Sequence, residues 1–358
     1  MKSPEYRHKV SIGFPVYNVE KYVHRSLESI LDQNFDDFEV IVVDDCGSDN
    51  SMNIIDNLVL LHPKGDSVHI IKHEKNAGLA QARNTAINNA SGKYIYFVDS
   101  DDVIIPDAIK ILYEIAEKYQ AEVVLGSNYK QKGEHIWIEK DNILNDMFFI
   151  NHNEFKDYFY RCLKDDMPTT AWNILFSTEF LNHHNLRFPN IRFQEDIAFD
   201  ELYHPYIQRI AFVSNPTYIY QFRTDSLMNF QHRDCIVINE VHRSIELCNI
   251  IKQSCIKWKD DPYYGGICAK TMKRCFFQIA GILKHKSKFS EDVEDVIIRD
   301  MIKHPESLFK ILSFKQLIKY NIFCYILGKL PPKFSIFIIL QICKKKGYLK
   351  TNYQKDLS

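Results

Sequence analysis

The sequence predicts an α/β protein: a mostly parallel sheet with helices on both faces, continued by a helical C-terminal region. Two observations carry this expectation. Short β-branched and aromatic runs alternate with helix patterns from Val10 to Leu125, and strand–helix–strand spacing of this kind builds parallel sheets. The composition, 46% hydrophobic and 25% charged over 358 residues, supplies apolar material for one large domain and a smaller one.

Strands are expected at Val10–Phe14, Glu39–Val43, Val68–Ile71, Tyr94–Val98 and Glu122–Leu125, each bounded by turn residues. Between them, Glu20–Leu31 places Val23, Leu27, Ile30 and Leu31 on one helical face. Asp49 or Ser51 can cap a helix running through Ile54, Ile55 and Leu58. Leu79–Asn89 ends at Ser91-Gly92, and Asp107–Tyr119 follows Pro106, a good first-turn residue. From about Asn128 the alternation breaks. Asn128–Ile150 reads as an irregular or hairpin insertion, and Ile191–Gln221 as a polar segment, a short helix and two short strands. Asp234–Arg299 is helical in pattern. This gives a domain at 1–230 (halves 1–127 and 128–230), a helical region at 231–300 and a basic amphipathic tail at 301–358.

Composition narrows the setting. The start, MKSPEYRHKV, has no apolar signal core. The nine Cys are scattered without a CxxC pair, which argues against a disulfide framework or zinc site and for a cytoplasmic chain. The longest apolar run, Phe334–Ile342, is too short to span a bilayer. The net charge is -1, and no nucleic-acid partner is expected.

The chemistry lies at the strand ends, where ligands bind in such sheets. After the first strand, FPVYN breaks into a loop at Pro15 and Asn18, and Tyr17 offers a flat face for a base. The second strand ends in VVDDCGSDNS, where Asp44 and Asp45 can accept from a base N–H or a ribose hydroxyl, or simply stand solvated beside a helix cap. In EKNAGLAQARN, Gly78 opens a helix and Arg83 lies inside it, suited to a phosphate, a base or a structural ion pair. Then YIYFVDSDDV runs a strand into Asp99, Ser100, Asp101 and Asp102. Asp99 and Asp101, two apart in an extended chain, point the same way, with no Lys or Arg beside them in the local sequence. Two carboxylates so placed suit Mg²⁺ or Mn²⁺, completed by diphosphate and water.

FPVYN, VVDDCGSDNS, EKNAGLAQARN and FVDSDD, in this order over Val10–Val103, resemble the nucleotide-sugar half of family 2 glycosyltransferases of the GT-A fold. The likeness continues more loosely through AWNILF and RFQEDIAF to YIYQFRTDSL, about the first 230 residues. The resemblance implies that Pro15, Tyr17 and Asp45 hold the base, usually uracil. It implies that Arg83 assists base or phosphates, that Asp99 lies near the ribose with Ser100 a further nucleotide-sugar candidate, and that Asp101 binds the divalent metal. It also implies a Glu-Asp pair whose Asp is the general base. Glu195-Asp196 matches, although an acidic first turn stabilised by the helix dipole has the same look. There are departures. QFRTD stands where processive members carry QxxRW, which argues against polymer synthesis, and Ile174 stands where a Lys is common. His204, Arg223 and Ser226 are further polar candidates for the diphosphate or acceptor, or structural residues.

The expected function is therefore an inverting, metal-dependent transfer of one sugar from a UDP-sugar to a lipid-linked, lipooligosaccharide or capsule glycan acceptor. The first donor expectation is UDP-galactose, because NVEKYVHRSLESILDQNFDDFEVIVVDDCGSDNS resembles bacterial lipooligosaccharide galactosyltransferases. The alternatives are a sugar-1-phosphate nucleotidyltransferase, disfavoured by the missing Gly-rich phosphate loop, and an inactive nucleotide- or glycan-binding module. In the tail, Phe314, Leu317, Ile318, Ile322 and Tyr325 are expected to form one apolar stripe on a helix among lysines. Such a stripe lies on an anionic membrane surface or packs on the protein or a second subunit, as in a homodimer.

Overall fold

The computed structural model describes residues 5–139, 142–163, 167–222 and 235–348. The chain divides into two compact units, residues 1–155 with 168–224 and residues 156–167 with 225–358.

The first unit is a ten-stranded sheet with helices. Its elements begin β1 (His8–Val16), α1 (Val23–Leu31), β2 (Phe38–Asp44), α2 (Ser51–Leu61), β3 (Val68–Lys72), α3 (Leu79–Asn89) and β4 (Gly92–Phe97). They continue β5 (Val103–Ile104), α4 (Ala108–Tyr119), β6 (Val123–Lys132), β7 (His135–Trp137) and β8 (Met147–Phe149). Helix α5 (His152–Tyr160) is divided between the units. Then come β9 (Ile174–Ser177), α6 (Thr178–His183), α7 (Glu195–Tyr203) and β10 (Ile210–Gln221).

The strand order is β3-β2-β1-β4-β9-β6-β10-β5, with β7 on β6 and β8 on β10. The first four strands are parallel, as their alternation with helices requires. Beyond them the sheet is mixed, because the four-residue β9 fills the gap between β4 and β6 antiparallel to both. The insertion after Asn128 begins as a hairpin: β6 runs on to Lys132 and turns back at Gly133 into β7. The two short strands expected before Gln221 are one strand, β10, whose register shifts around Pro216. Proline cannot donate to the ladder, and this break is what the sequence pattern records as a boundary.

Period-two alternation divides β1 cleanly. Val10, Ile12, Phe14 and Val16 join the core formed with Leu27, Ile30, Ile55 and Leu112 from α1, α2 and α4. The opposite face of β1 receives α3, and Gly13 makes the approach close. A Cβ there would lie 2.7 Å from the Phe97 ring and 3.1 Å from Ala86. The cap of α2 falls on Asn50 rather than Asp49 or Ser51, and Asp49 instead accepts from the Ser51 N–H at 3.1 Å.

The second unit is helical: α8 (Asn239–Ile256), α9 (Tyr264–Lys284), α10 (Asp295–Met301), α11 (Leu308–Leu312), α12 (Ile318–Lys329) and α13 (Pro332–Lys346). Helices α8 and α9 pack together, with Cys255 Sγ 3.3 Å from Cys268 Sγ at their seam. The stripe expected from Phe314 to Tyr325 is not on one helix. Helix α11 stops at Leu312, and Leu317 takes φ 51° just before α12. Phe314 packs on Tyr264, with ring centroids 5.4 Å apart, and the buried Asn321 side chain donates to the Gly265 carbonyl at 2.8 Å. The stretch expected as a tail is thus folded into the second unit up to Tyr348. No helix among the described residues is long and apolar enough to cross a membrane.

Candidate active site

The C-terminal ends of β1, β2 and β4 and the start of α3 bring the sequence-predicted residues together in the first unit. After β4 the chain makes a tight turn, closed by the Asp102 N–H donating to the Asp99 carbonyl at 2.9 Å. This turn, rather than an extended chain, aims the acidic side chains. One carboxylate oxygen from each of Asp99, Asp101 and Asp102 lies within 4.8 Å of the others. Ser100 is buried within the turn.

Tyr218 on β10 holds the turn in place. Its hydroxyl accepts from the Asp99 N–H at 3.2 Å and donates to Asp102 Oδ2 at 2.8 Å. The Gln221 N–H donates to Asp102 Oδ1 at 2.7 Å. Trp172 stacks on the Tyr218 ring, with centroids 4.6 Å apart, and fixes it from the side. Asp102 is 1% exposed. Burial, followed by the charges of Asp101 and Asp99, pushes its carboxyl well above the usual range, and the two donors only partly offset this. Three crowded hard oxygen donors fit a divalent cation such as Mg²⁺ or Mn²⁺.

Arg83 supplies the positive charge that the local sequence lacks. It lies in the second turn of α3 and is 2% exposed. One terminal nitrogen donates to Asp99 Oδ1 and the other to Glu195 Oε1, each at 2.7 Å. Burial works against its charge, but Asp99 and Glu195 outweigh this and hold the guanidinium firmly protonated. Its Nε has no hydrogen-bond partner. Arg83 therefore meets carboxylates at both ends.

Glu195 and Asp196 open α7 behind Gln194, whose φ of 59° is unusual for a side-chain-bearing residue. Asp196 Oδ1 accepts from the Ile197 N–H at 2.8 Å. Its carboxyl is pushed up to about 7, by burial first and the charge of Glu195 second, while Arg83 pulls it back down. A carboxylate poised there can take a proton near neutral pH.

The nucleotide-side candidates form a second group. Tyr17 is half exposed. Asn18, at φ 52°, accepts from the Ser48 N–H at 2.7 Å, joining the loops after β1 and β2. Pro15 is buried in β1. Asp44 accepts from the Cys46 N–H at 3.0 Å. Asp45 is turned to the loop that opens α3. It accepts from the Ala77 N–H at 2.8 Å and the Gly78 N–H at 2.9 Å, and pairs with His73 Nδ1 at 2.7 Å. Gly78 takes φ 90°, where a Cβ would be strained, so this clamp depends on glycine. His204 is 2% exposed, with its ring 4.6 Å from that of Tyr203. Arg223 and Ser226 lie outside the described residues, and QFRTD is described only to Phe222.

Sequence reasoning assigned the metal to Asp99 and Asp101 and gave Asp102 no ligand role, and it gave Tyr218, Trp172 and His73 no role at the site. Asp102 was visible as the third acid of DSDD. Tyr218 and Trp172 look like core aromatics, and only the pairing of β10 with the acidic turn gives them a role.

Residues 11–181 match the family model for glycosyl transferase family 2. The chain is 31% identical over 224 residues to glycosyltransferase GlyA of Streptococcus pneumoniae, covering 61% of this chain and 31% of GlyA. It is 31% identical over 229 residues to the uncharacterized glycosyltransferase EpsJ of Bacillus subtilis, covering 63% and 64%. The chain thus spans about a third of the first relative and just under two thirds of the second. In structure it is similar to residues 1–349 of TarS from S. aureus in complex with UDP-GlcNAc. That TM-score is 0.66, with 19% identity and 89% of each chain covered.

Proposed function

We propose that this chain, whose residues 11–181 match the family model for glycosyl transferase family 2, transfers one sugar, with inversion, from a UDP-sugar to a hydroxyl of a surface glycan or lipid-linked acceptor. The observation that carries the reading is the pair of carboxylate groups bridged by Arg83: the acidic turn on one side, Glu195 and Asp196 on the other. The site therefore offers a cation-binding end for a diphosphate and a base end for an acceptor.

Each residue has a task in this reaction. Asp99 and Asp101, backed by Asp102, would hold a divalent cation, which when bound supplies positive charge to a leaving diphosphate. Tyr17 stacks on the base, and Asp44 and the loop pinned by Asp45 border the nucleotide. Asp196 accepts the proton of the attacking hydroxyl, and a single base opposite the leaving group gives inversion. Glu195 and Arg83 hold that base at the strength the chemistry needs.

The donor is a UDP-hexose. UDP-galactose comes from the sequence resemblance, and UDP-GlcNAc from the bound TarS structure. The acceptor class draws on the cell-surface polymers that relatives' names carry, among them the poly(ribitol-phosphate) of TarS from Staphylococcus aureus. A lipid-linked acceptor places the work at the cytoplasmic face of a membrane. The glycosyl transferase family match and the clustered carboxylates of the acidic turn favour an enzyme over an inactive binding module. NMR of the glycosylated product tests the reading. An anomeric configuration opposite to the donor's is expected, and retention would overturn the single-base mechanism.

A further inference from the structure

We propose that the outward face of α13 docks the second unit onto an anionic lipid surface. This rests on, and goes further than, the reading of a lipid-linked acceptor. At about 100° per residue, Ser335, Ile336, Ile339 and Cys343 share the side of α13 that is buried. Lys333, Phe334, Phe337, Gln341, Lys344 and Lys345 share the other side, and all are exposed. Phe334 is 55% and Phe337 54% exposed. Two exposed aromatic residues one turn apart on a single helix face mark an interaction surface.

Charge selects the occupant. The helix reads PKFSIFIILQICKKK, with four Lys and no acidic residue. A second copy of this face would bring lysines against lysines, whereas anionic headgroups complement them. Phe334 and Phe337 lie on the same exposed face as Lys333, Lys344 and Lys345, so apolar insertion and attraction to anionic headgroups act from one side of the helix. Helix α11 in the same unit repeats the chemistry. Phe309 is 87% and Leu312 57% exposed, and Lys315 follows. Among the described residues, Phe309, Phe334 and Phe337 are the three most exposed phenylalanines. Of the stripe read from sequence, Phe314 packs on Tyr264, and Leu317, Ile318, Ile322 and Tyr325 are only partly exposed.

The test uses the full chain, since α12 and α13 pack against α9 and α10 and truncation would expose their core. Co-sedimentation is measured with phosphatidylcholine vesicles and with vesicles containing phosphatidylglycerol. The wild type is expected to pellet only with the anionic vesicles, and less so as salt rises. Lys344→Gln with Lys345→Gln should weaken binding by about fivefold per lysine. Phe334→Ser with Phe337→Ser should weaken it by about tenfold or more, with unchanged thermal unfolding. These readouts do not depend on sugar transfer, so an inactive wild type would count against the proposed reaction and leave the docking result standing. The proposal is overturned if the wild type stays in the supernatant at low salt, or if both double variants bind as the wild type does. It is also overturned if the phenylalanine variant converts a dimer to a monomer on gel filtration, which would make the face a protein interface.

Discussion

Arg83 donates to Asp99 and to Glu195 at the same distance, 2.7 Å, and so joins the acidic turn to the start of α7. Replacing it leaves two carboxylates without their shared cation. Arg83→Met should destabilise the first unit by about 3–5 kcal/mol, the usual result of breaking a buried ion pair from one side. Arg83→Lys keeps the charge but not the fork, and should still lose most activity. Thermal unfolding and initial rates check this, and a Lys variant with wild-type rates would show that the bridge is dispensable.

If Asp196 is the base, as proposed, it should set the pH dependence of transfer. Its carboxyl titrates at about 7 in the folded chain against an ordinary value of 3.8. Only the ionised form can accept a proton, so kcat/KM should rise about tenfold per pH unit below 7 and level off above it. The stability effect has the opposite sign. A raised carboxylate pKa makes ionisation unfavourable in the fold, so stability falls as pH climbs from about 4 to 7. Asp196→Asn should therefore cost about 10²–10⁴ in rate while stabilising the protein by about 1–3 kcal/mol at pH 8. A flat pH–rate profile, or an Asn variant near the wild-type rate, would move the base elsewhere, first to Glu195.

Metal removal should abolish transfer. Chelator is expected to eliminate UDP release, and Asp101→Ala should weaken UDP-sugar binding only when Mn²⁺ or Mg²⁺ is present. Calorimetry with and without chelator separates the two, and equal donor affinity in both conditions would sink the cation assignment.

Tyr218→Phe removes the hydroxyl that serves both Asp99 and Asp102. Losing this buried hydrogen-bonded group should cost about 1–3 kcal/mol and shift metal activation to higher Mn²⁺ concentration. An unchanged Mn²⁺ activation curve would reduce Tyr218 to a packing residue.

Much of this site was legible because its residues sit in short segments at strand ends, where local pattern and position coincide. Asp99, Asp101, Arg83, Glu195 and Asp196 were all named from sequence, and the fold joins them. What sequence could not show is how they are joined. The Arg83 bridge spans 112 residues to Glu195, and the Tyr218 clamp reaches 116 residues back to Asp102. Such contacts arise from strand order, and β9 entering beside β4 leaves no mark in local periodicity. The same limit governed the C-terminal region. Phe314 and Phe334 are both aromatics among lysines, yet one packs on Tyr264 and the other faces solvent.

The central claim is transfer of a sugar from a UDP-sugar by the Arg83-bridged site. Its most direct test is UDP release, measured with UDP-galactose and UDP-GlcNAc, with Mn²⁺ or chelator, with and without glycan acceptors. The account predicts release that requires metal, rises with acceptor and nearly vanishes in Asp196→Asn. No release from any UDP-sugar, alongside formation of a UDP-sugar from UTP and a sugar 1-phosphate, would contradict it.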